Sequence, residues 1–414
     1  MTEKQKNCDK MERHCKRRQI MRDELQGKRK EPVVMILITF VFYLAHAATA
    51  FVAAYLKERG MDAGTVGLIA AMMNCAGILS APLFGALADK SGSSRKMFLK
   101  VLCAASLVMG FFLFLGKANT VTIPACAALI LWAALRIPVS GLLDTWTVRR
   151  SEQTGRYSFG SIRLVGSISG ATMCILYGLV AQHAGSNGYV LAGYSLFGGL
   201  AVVLTAVLTR RYDDETERAL KTQRHFGAIL KQKGMIRFFL CHAVMGLPIY
   251  CLNTFLPYKL SEIGAAASVM GVLIAVKAYT EVPMLLVSKN LLARVRPQVL
   301  MESCYLVFFA EHLVCALTDQ VWLIAAVFML HGLFFGLYLA AMMQYLVGQV
   351  PQQMLASAQS LSGSVTLICA VAGSIFCGQL VRKLGSGGFF FVTAGLFAVV
   401  ILLFLPSVLR KKEV

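Results

Sequence analysis

Long apolar runs alternate with short polar links along almost the whole chain. An uncharged run of about 18 residues or more is long enough to cross a bilayer as a helix. The runs predict twelve such spans, at 33–56, 64–87, 96–115, 121–143, 159–182, 189–208, 235–258, 265–288, 299–317, 321–345, 356–381 and 388–409. One polar link, 210–233, is much longer than the others and lies near the middle of the chain. Six spans, a linker and six more is the plan of transporters built from parallel repeats. The expected fold is therefore an all-α membrane protein with twelve transmembrane helices in two six-helix pseudo-symmetric halves. The expected divisions are a basic arm at 1–32, a first half at 33–208, a linker at 209–234, a second half at 235–409 and a tail at 410–414.

Composition supports the pattern: 57% of the 414 residues are hydrophobic and only 15% are charged. A formal charge of +20 would by itself suggest nucleic acid. The positions of the cations argue otherwise, because most fall in the links of one side. That bias is the positive-inside rule, and it puts both termini in the cytoplasm of a multi-pass cell-membrane protein. Arg382 and Lys383 are the exception, since this topology places them outside. The basic arm reads as a solvated extension that touches anionic lipid. Two other readings of it stay open: a signal peptide cleaved after Ala45-His46-Ala47, and a start of translation at Met11 or Met21. Of the 12 cysteines, Cys8 and Cys15 lie in the arm and the rest, Cys75 to Cys377, in or beside apolar spans. No C-x-x-C pair occurs, so neither a disulfide nor a metal site is expected, and His14 beside Cys15 is a weak exception. No phosphate loop, nucleophile elbow or nucleotide fingerprint is present. This argues against an enzyme, a cofactor and an ATP-driven pump.

The second and third spans are joined by PLFGALADKSGSSRKMF at 82–98. Gly85 lies near the end of the second span, where a residue without a side chain lets a neighbouring helix approach. Asp89 is placed to meet the positive start of the next helix or a nearby base. Lys90, Gly92, Arg95 and Lys96 complete the link. The string resembles the signature of the major facilitator superfamily between helices 2 and 3, Gly-x-x-x-Asp-Arg/Lys-x-Gly-x-Arg-Arg/Lys, with one extra serine before Arg95. The equivalent link of the second half, LVSKNLLARVRP at 286–297, keeps the bases Lys289, Arg294 and Arg296 but lacks the acid and the glycines.

Helix 4 ends RIPVSGLLDTW and helix 5 opens GRYSFGSIRLVGSISG. Arg163, Gly166, Ser167 and Gly170 share one helical face, which must turn into the bundle because a charge facing lipid is costly. Asp144 and Arg163 lie at the cytoplasmic ends of adjacent antiparallel helices, so they could pair. These strings, with Glu281-Val282-Pro283, Leu330-His331-Gly332 and Phe335-Gly336, resemble the branch of the superfamily that holds the lactose permease, the phenylpropionate permeases and the nucleoside symporters. The resemblance implies the major facilitator fold and a permease function. It also implies that Arg163, and less closely Asp144, stand where the lactose permease holds its sugar. A structural ion pair closing the gate is the competing reading for both.

Lys277 and Glu281 fall at i and i+4 on helix 8, with Glu281 roughly 12 Å below the helix end at about 1.5 Å per residue. Two charges at that depth pair or line water, and a carboxylate there suits a proton carrier. On helix 10, His331, Phe335, Tyr338, Met342 and Tyr345 form a stripe that reads first as packing. His331 matches the branch's helix 10 histidine, but Phe334 and Glu311-His312 stand where the lactose permease has a carboxylate and an arginine. Glu311 is thus a second proton-site candidate, with His312 or Lys277 as partner. Tyr43, His46, His242 and Asn253 are further candidates to line the cavity, as is Tyr338 from the stripe. The expected function is secondary active transport of a small organic solute by alternating access, coupled to protons as a symporter and carried out by a monomer. Proton-antiport efflux on the same fold, or a sensor that no longer transports, are the alternatives.

Overall fold

The structure is a computed structural model and describes residues 30–115, 123–209 and 226–409. The arm before residue 30, the first two residues of the fourth predicted span, most of the long link and the tail lie outside the described residues. So do His14, Cys8, Cys15, Met11 and Met21.

The chain is helical throughout its described parts. Helix α1 is Lys30–Glu58, with a tight 3-10 turn at Ala48–Phe51. Next come α2 (Ala63–Ser91), α3 (Ser94–Leu115), α4 (Ile123–Thr154), α5 (Phe159–Ala184) and α6 (Gly188–Leu208). A five-residue helix, Phe226–Leu230, leads into α7 (Met235–Glu262). Then follow α8 (Ala267–Leu292), α9 (Pro297–Leu317) and α10 (Val321–Gln349). The run Gln352–Leu409 is two helices, α11 (352–384) and α12 (386–409), parted at Gly385, whose φ of 72° and ψ of −179° break the helix. These twelve segments match the twelve predicted spans in order.

Local chemistry sets the helix ends. Asp62 caps α2: its Oδ1 accepts the Gly64 N–H at 2.9 Å and the Thr65 N–H at 3.2 Å. Gly92 ends α2 in the left-handed region at φ 69°. Ser93 caps α3, its Oγ accepting the Lys96 N–H at 3.1 Å. Pro248 removes one intrahelical donor from α7, and the helix breaks there into Met235–Ile249 and Leu252–Glu262. Helix α4 continues well past its predicted end at 143. Residues beyond it find partners: Trp146 and Thr147 are buried, and Arg149 and Arg150 meet acids on α2 and α1.

Packing divides the molecule by depth. One buried cluster holds only residues of α1 to α6, such as Phe42, Phe98, Leu142 and Trp146. Another holds only residues from Ile229 onward, such as Phe238, Tyr305, Tyr338 and Phe404. Both lie at the end of the bundle that carries Lys90, Arg95, Arg149, Lys231 and Arg294, hereafter the basic end. The third cluster, at the opposite end, mixes both halves: Phe51, Tyr55 and Tyr177 pack with Phe255, Leu273, Cys377 and Phe389. The halves therefore share a core at one end and keep separate cores at the other.

Glycines make the shared end. A Cβ on Gly67 of α2 would lie 2.3 Å from the Ser374 carbonyl oxygen of α11, and one on Gly378 2.7 Å from that of Ala63. A Cβ on Gly271 of α8 would lie 2.1 Å from the Cys174 oxygen of α5, and one on Gly178 2.9 Å from that of Ser268. Tyr258 donates to the Met61 carbonyl at 3.0 Å, and Lys57 lies over the Tyr258 ring at 5.5 Å. Toward the basic end α2 and α11 diverge, and Gly85 of α2 and Gly363 of α11 meet nothing within 4 Å. The close approach expected at Gly85 is absent because the halves have already parted at that level.

Candidate functional site

Between the halves, near mid-depth, α1, α5 and α8 enclose a cavity of about 270 Å³. Tyr43, His46 and Thr49 line it from α1, Arg163, Gly166 and Ser167 from α5, and Glu281 and Ala278 from α8. Four of the residues expected to line the cavity or carry charge thus converge: Tyr43, His46, Arg163 and Glu281. Local packing fixes their positions. The Arg163 guanidinium lies over the Tyr43 ring at 4.6 Å, a cation–π contact that holds it toward the cavity. Gly166 must be glycine, since a Cβ would come within 2.5 Å of the Tyr43 ring. The Tyr43 and His46 rings meet edge to face, 5.6 Å apart. A hydrogen bond of 2.6 Å between Thr172 and the Tyr279 hydroxyl joins α5 to α8 beside the cavity.

A second ionisable group is sealed inside the second half. His331 Nδ1 of α10 lies 2.6 Å from Glu311 Oε2 of α9, and both side chains are fully buried. The Phe308, Phe328 and Phe335 rings surround the imidazole. Glu311 Oε1, His331 Nε2 and His312 Nε2 have no hydrogen-bond partner among the described residues. The partner of Glu311 is therefore His331, not His312 or Lys277 as expected. His312 instead donates from Nδ1 to the Phe308 carbonyl at 3.0 Å. Lys277 and Glu281 were expected to pair or to line water. Among the described residues no ion pair within 4.0 Å joins them, and Lys277 lies over the Phe335 ring at 5.6 Å. The glycines of helix 10 explain this closeness. A Cβ on Gly332 would collide with the Lys277 carbonyl at 2.1 Å, and one on Gly336 would meet the Glu281 carbonyl at 2.8 Å.

The other expected cavity residues lie elsewhere. Among the described residues no ion pair within 4.0 Å joins Asp144 to Arg163, whose guanidinium lies over the Tyr43 ring. Tyr338 is fully buried among second-half aromatics and lies 2.8 Å from His242 Nδ1. His242 Nε2 continues that network to Thr366 at 3.2 Å. Asn253 sits just past the α7 break, its Oδ1 buried without a partner among the described residues.

In the link between α2 and α3, Asp89 meets a base on α4, Arg149, at 3.4 Å. Arg149 Nη1 also donates to Ser94 Oγ at 3.1 Å. Arg95 is buried and donates to Thr209 Oγ1 at 2.7 Å, tying the link to the end of α6. Lys90 is exposed. The inserted serine is accommodated, since Ser93 and Ser94 are both buried and hydrogen-bonded. Sequence reasoning missed Arg149, Thr209 and the Glu31–Arg150 pair at 2.8 Å, which joins α1 to α4. It also missed the closing glycines at the opposite end. Each depends on a contact between helices distant in the chain. Small-residue spacing such as Gly67 or Gly178 in an apolar span was the one signal available.

This geometry can be set beside known proteins. The MFS_1 like family matches residues 33–393. An uncharacterized transporter, YwbF, of Bacillus subtilis (strain 168) is 22% identical over 390 residues, covering 93% of this chain and 92% of its own. The maltose permease of Geobacillus stearothermophilus is 22% identical over 387 residues, covering 91% and 95%. Among solved structures, the nucleoside transporter NupG superposes with a TM-score of 0.76 at 16% identity, covering 92% of this chain and 99% of that one. A bacterial homologue of the lysosomal transporter Spinster, in an inward-facing and occupied conformation, gives 0.67 at 13% identity, covering 91% and 96%. With the family matched from the first span into the last, and the fold shared with these transporters, the chain belongs to the MFS_1 like family and is a multi-pass membrane transporter of the major facilitator superfamily.

Proposed function

We propose that this transporter is a proton-coupled symporter for a small hydroxylated organic solute, working by alternating access in the cell membrane with its basic end in the cytoplasm. The observation that carries the reading is the cavity itself. It lies between halves that share a core on one side and part on the other, and it presents an arginine, a carboxylate, a histidine and a tyrosine to a solute. Rings that stack and groups that donate and accept hydrogen bonds suit a sugar-like or nucleoside-like molecule. The names of the maltose permease and the nucleoside transporter agree with that class. The excess of cations at the basic end supports its cytoplasmic placement, and the conformation is then open inward.

In this reading Arg163 and Glu281 contact the solute, and Glu311 carries the proton with His331 as its hydrogen-bond partner. Burial away from the cavity suits Glu311 to carrying a proton, because its charge is costly unless a proton or a cation compensates it. Lys277, one turn before Glu281 on α8 and over the Phe335 ring that stacks on His331, couples the cavity to the sealed pair in this reading. The link 209–234 then lets the halves rock as separate bodies.

Reconstitution into vesicles tests this. Adding the right sugar or nucleoside should drive proton entry together with solute. Glu311→Gln should abolish uphill accumulation while solute exchange continues, since exchange needs no net loss of the proton. A variant that still concentrates solute would return the coupling role to Glu281. If no solute of either class moves protons in the parent protein, symport itself is refuted.

A further inference from the structure

A larger cavity, of about 1360 Å³, lies at the basic end of the second half, between the start of α7, the α8–α9 link and the ends of α10 and α12. Among the described residues five cations line it, Lys231, Lys233, Arg237, Arg294 and Arg296, and no acid does. Two are anchored to the wall: Arg237 donates to Ser407 at 3.3 Å and Arg296 to the Val408 carbonyl at 2.7 Å. Lys231, Lys233 and Arg294 are exposed and form no ion pair among the described residues. So many like charges around one hollow repel one another, and an anion relieves that repulsion.

The same cavity has an apolar wall. Ile236 and Leu240 on α7 and Leu403 on α12 line it, yet are 59%, 55% and 43% exposed. Leu403 lies one turn deeper along α12 than Ser407, and Leu240 one turn deeper along α7 than Ile236. The cations therefore ring the helix ends, where headgroups lie, and the apolar side chains run inward from them, where acyl chains lie. A soluble phosphate would use the first feature and leave the second unexplained.

We propose that this cavity binds an anionic phospholipid, with the headgroup phosphate among the five cations and an acyl chain along Ile236, Leu240 and Leu403. The site is distinct from the solute cavity and does not depend on the substrate assigned above. Basic pockets between helices on the cytoplasmic side are chemically suited to such headgroups.

The test uses the purified full-length protein in neutral detergent. Its melting temperature is measured with added phosphatidylglycerol, phosphatidylcholine or inorganic phosphate. Phosphatidylglycerol should raise it by several degrees, and the other two should not. Joint replacement Lys231→Gln, Lys233→Gln and Arg294→Gln should weaken phosphatidylglycerol roughly a hundredfold, at about fivefold per cation near an anionic lipid surface. A control with three N-terminal-half cations changed, Lys30→Gln, Lys100→Gln and Arg156→Gln, should retain the response. An equal shift from phosphatidylcholine, from inorganic phosphate or in the cavity variant would overturn the assignment. So would a response that emerges only when Asp213, Asp214, Glu215 and Glu217 are neutralised, since the chain's own acids would then be the occupant.

Discussion

Gly271→Ala should open the end of the transporter that is closed in this structure. A Cβ at position 271 would fall 2.1 Å from the carbonyl oxygen of Cys174, and real Cβ contacts essentially never come below 3.0 Å. The obstacle is backbone, so no side chain can swing aside. Helices α5 and α8 must separate by about 1 Å at this level, or the contact is lost. Overfilling a packed contact costs about 1–3 kcal/mol. At about 1.4 kcal/mol per tenfold change, that shifts the population roughly 5- to 150-fold away from the closed arrangement. Spin labels at Ala184, the last residue of α5, and Ala266, just before α8, report the separation directly. The variant should lengthen the mean distance or add a longer population, and the transport rate should fall because one conformation has become costly. Gly199→Ala is the control, since its Cβ meets nothing within 4 Å. An unchanged distance distribution in Gly271→Ala would refute the view that this glycine contact sets the closure.

Two further outcomes follow from the ends of α2. Asp89→Asn should cost less than about 1 kcal/mol in stability, because its bridge to Arg149 is long and half exposed, yet it should lower the maximal transport rate with affinity unchanged. Transport kinetics in vesicles decide this, and a weakened affinity at full rate would reverse it. Asp62→Ala should cost about 1 kcal/mol through loss of the α2 cap. The Thr65 hydroxyl, then the backbone N–H groups, hold the Asp62 carboxyl below the usual carboxylate range. Its contribution is therefore full above the ordinary carboxylate pKa and fades as pH falls through the depressed value. Thermal melts of parent and variant should converge at strongly acid pH, and a constant gap would contradict the assignment.

The residues of the cavity were legible because each sits in a local pattern. Arg163, Gly166, Ser167 and Gly170 repeat with the helical period, so one face had to be the inward one once a charge lay on it. Tyr43 and His46 follow the same logic on α1. The pairings were not legible. Arg163 sits over the Tyr43 ring and not against Asp144, and Glu311 meets His331 across two helices. An i, i+4 relation is geometry within one helix and licensed the idea of a Lys277–Glu281 pair. The choice of partner was made by α10, whose Gly332 and Gly336 bring its backbone close to that of α8 and place Phe335 beneath Lys277.

Helix number, order and the clustering of cations at one end follow from the sequence alone, because a bilayer demands long uncharged runs and a backbone satisfied within each one. The same requirement made the twelve spans readable without any knowledge of contacts. Helix ends were less readable where polar residues stay helical, as from Asp144 to Thr154, since there partners on other helices offset the cost of continuing. Which end of the bundle is closed, which acid is sealed and which lines the cavity were decided only by the tertiary structure. Those properties belong to contacts between residues far apart in the chain, such as Gly67 with Ser374 and Gly178 with Gly271, and apolar surface alone does not select among partners of similar hydrophobicity.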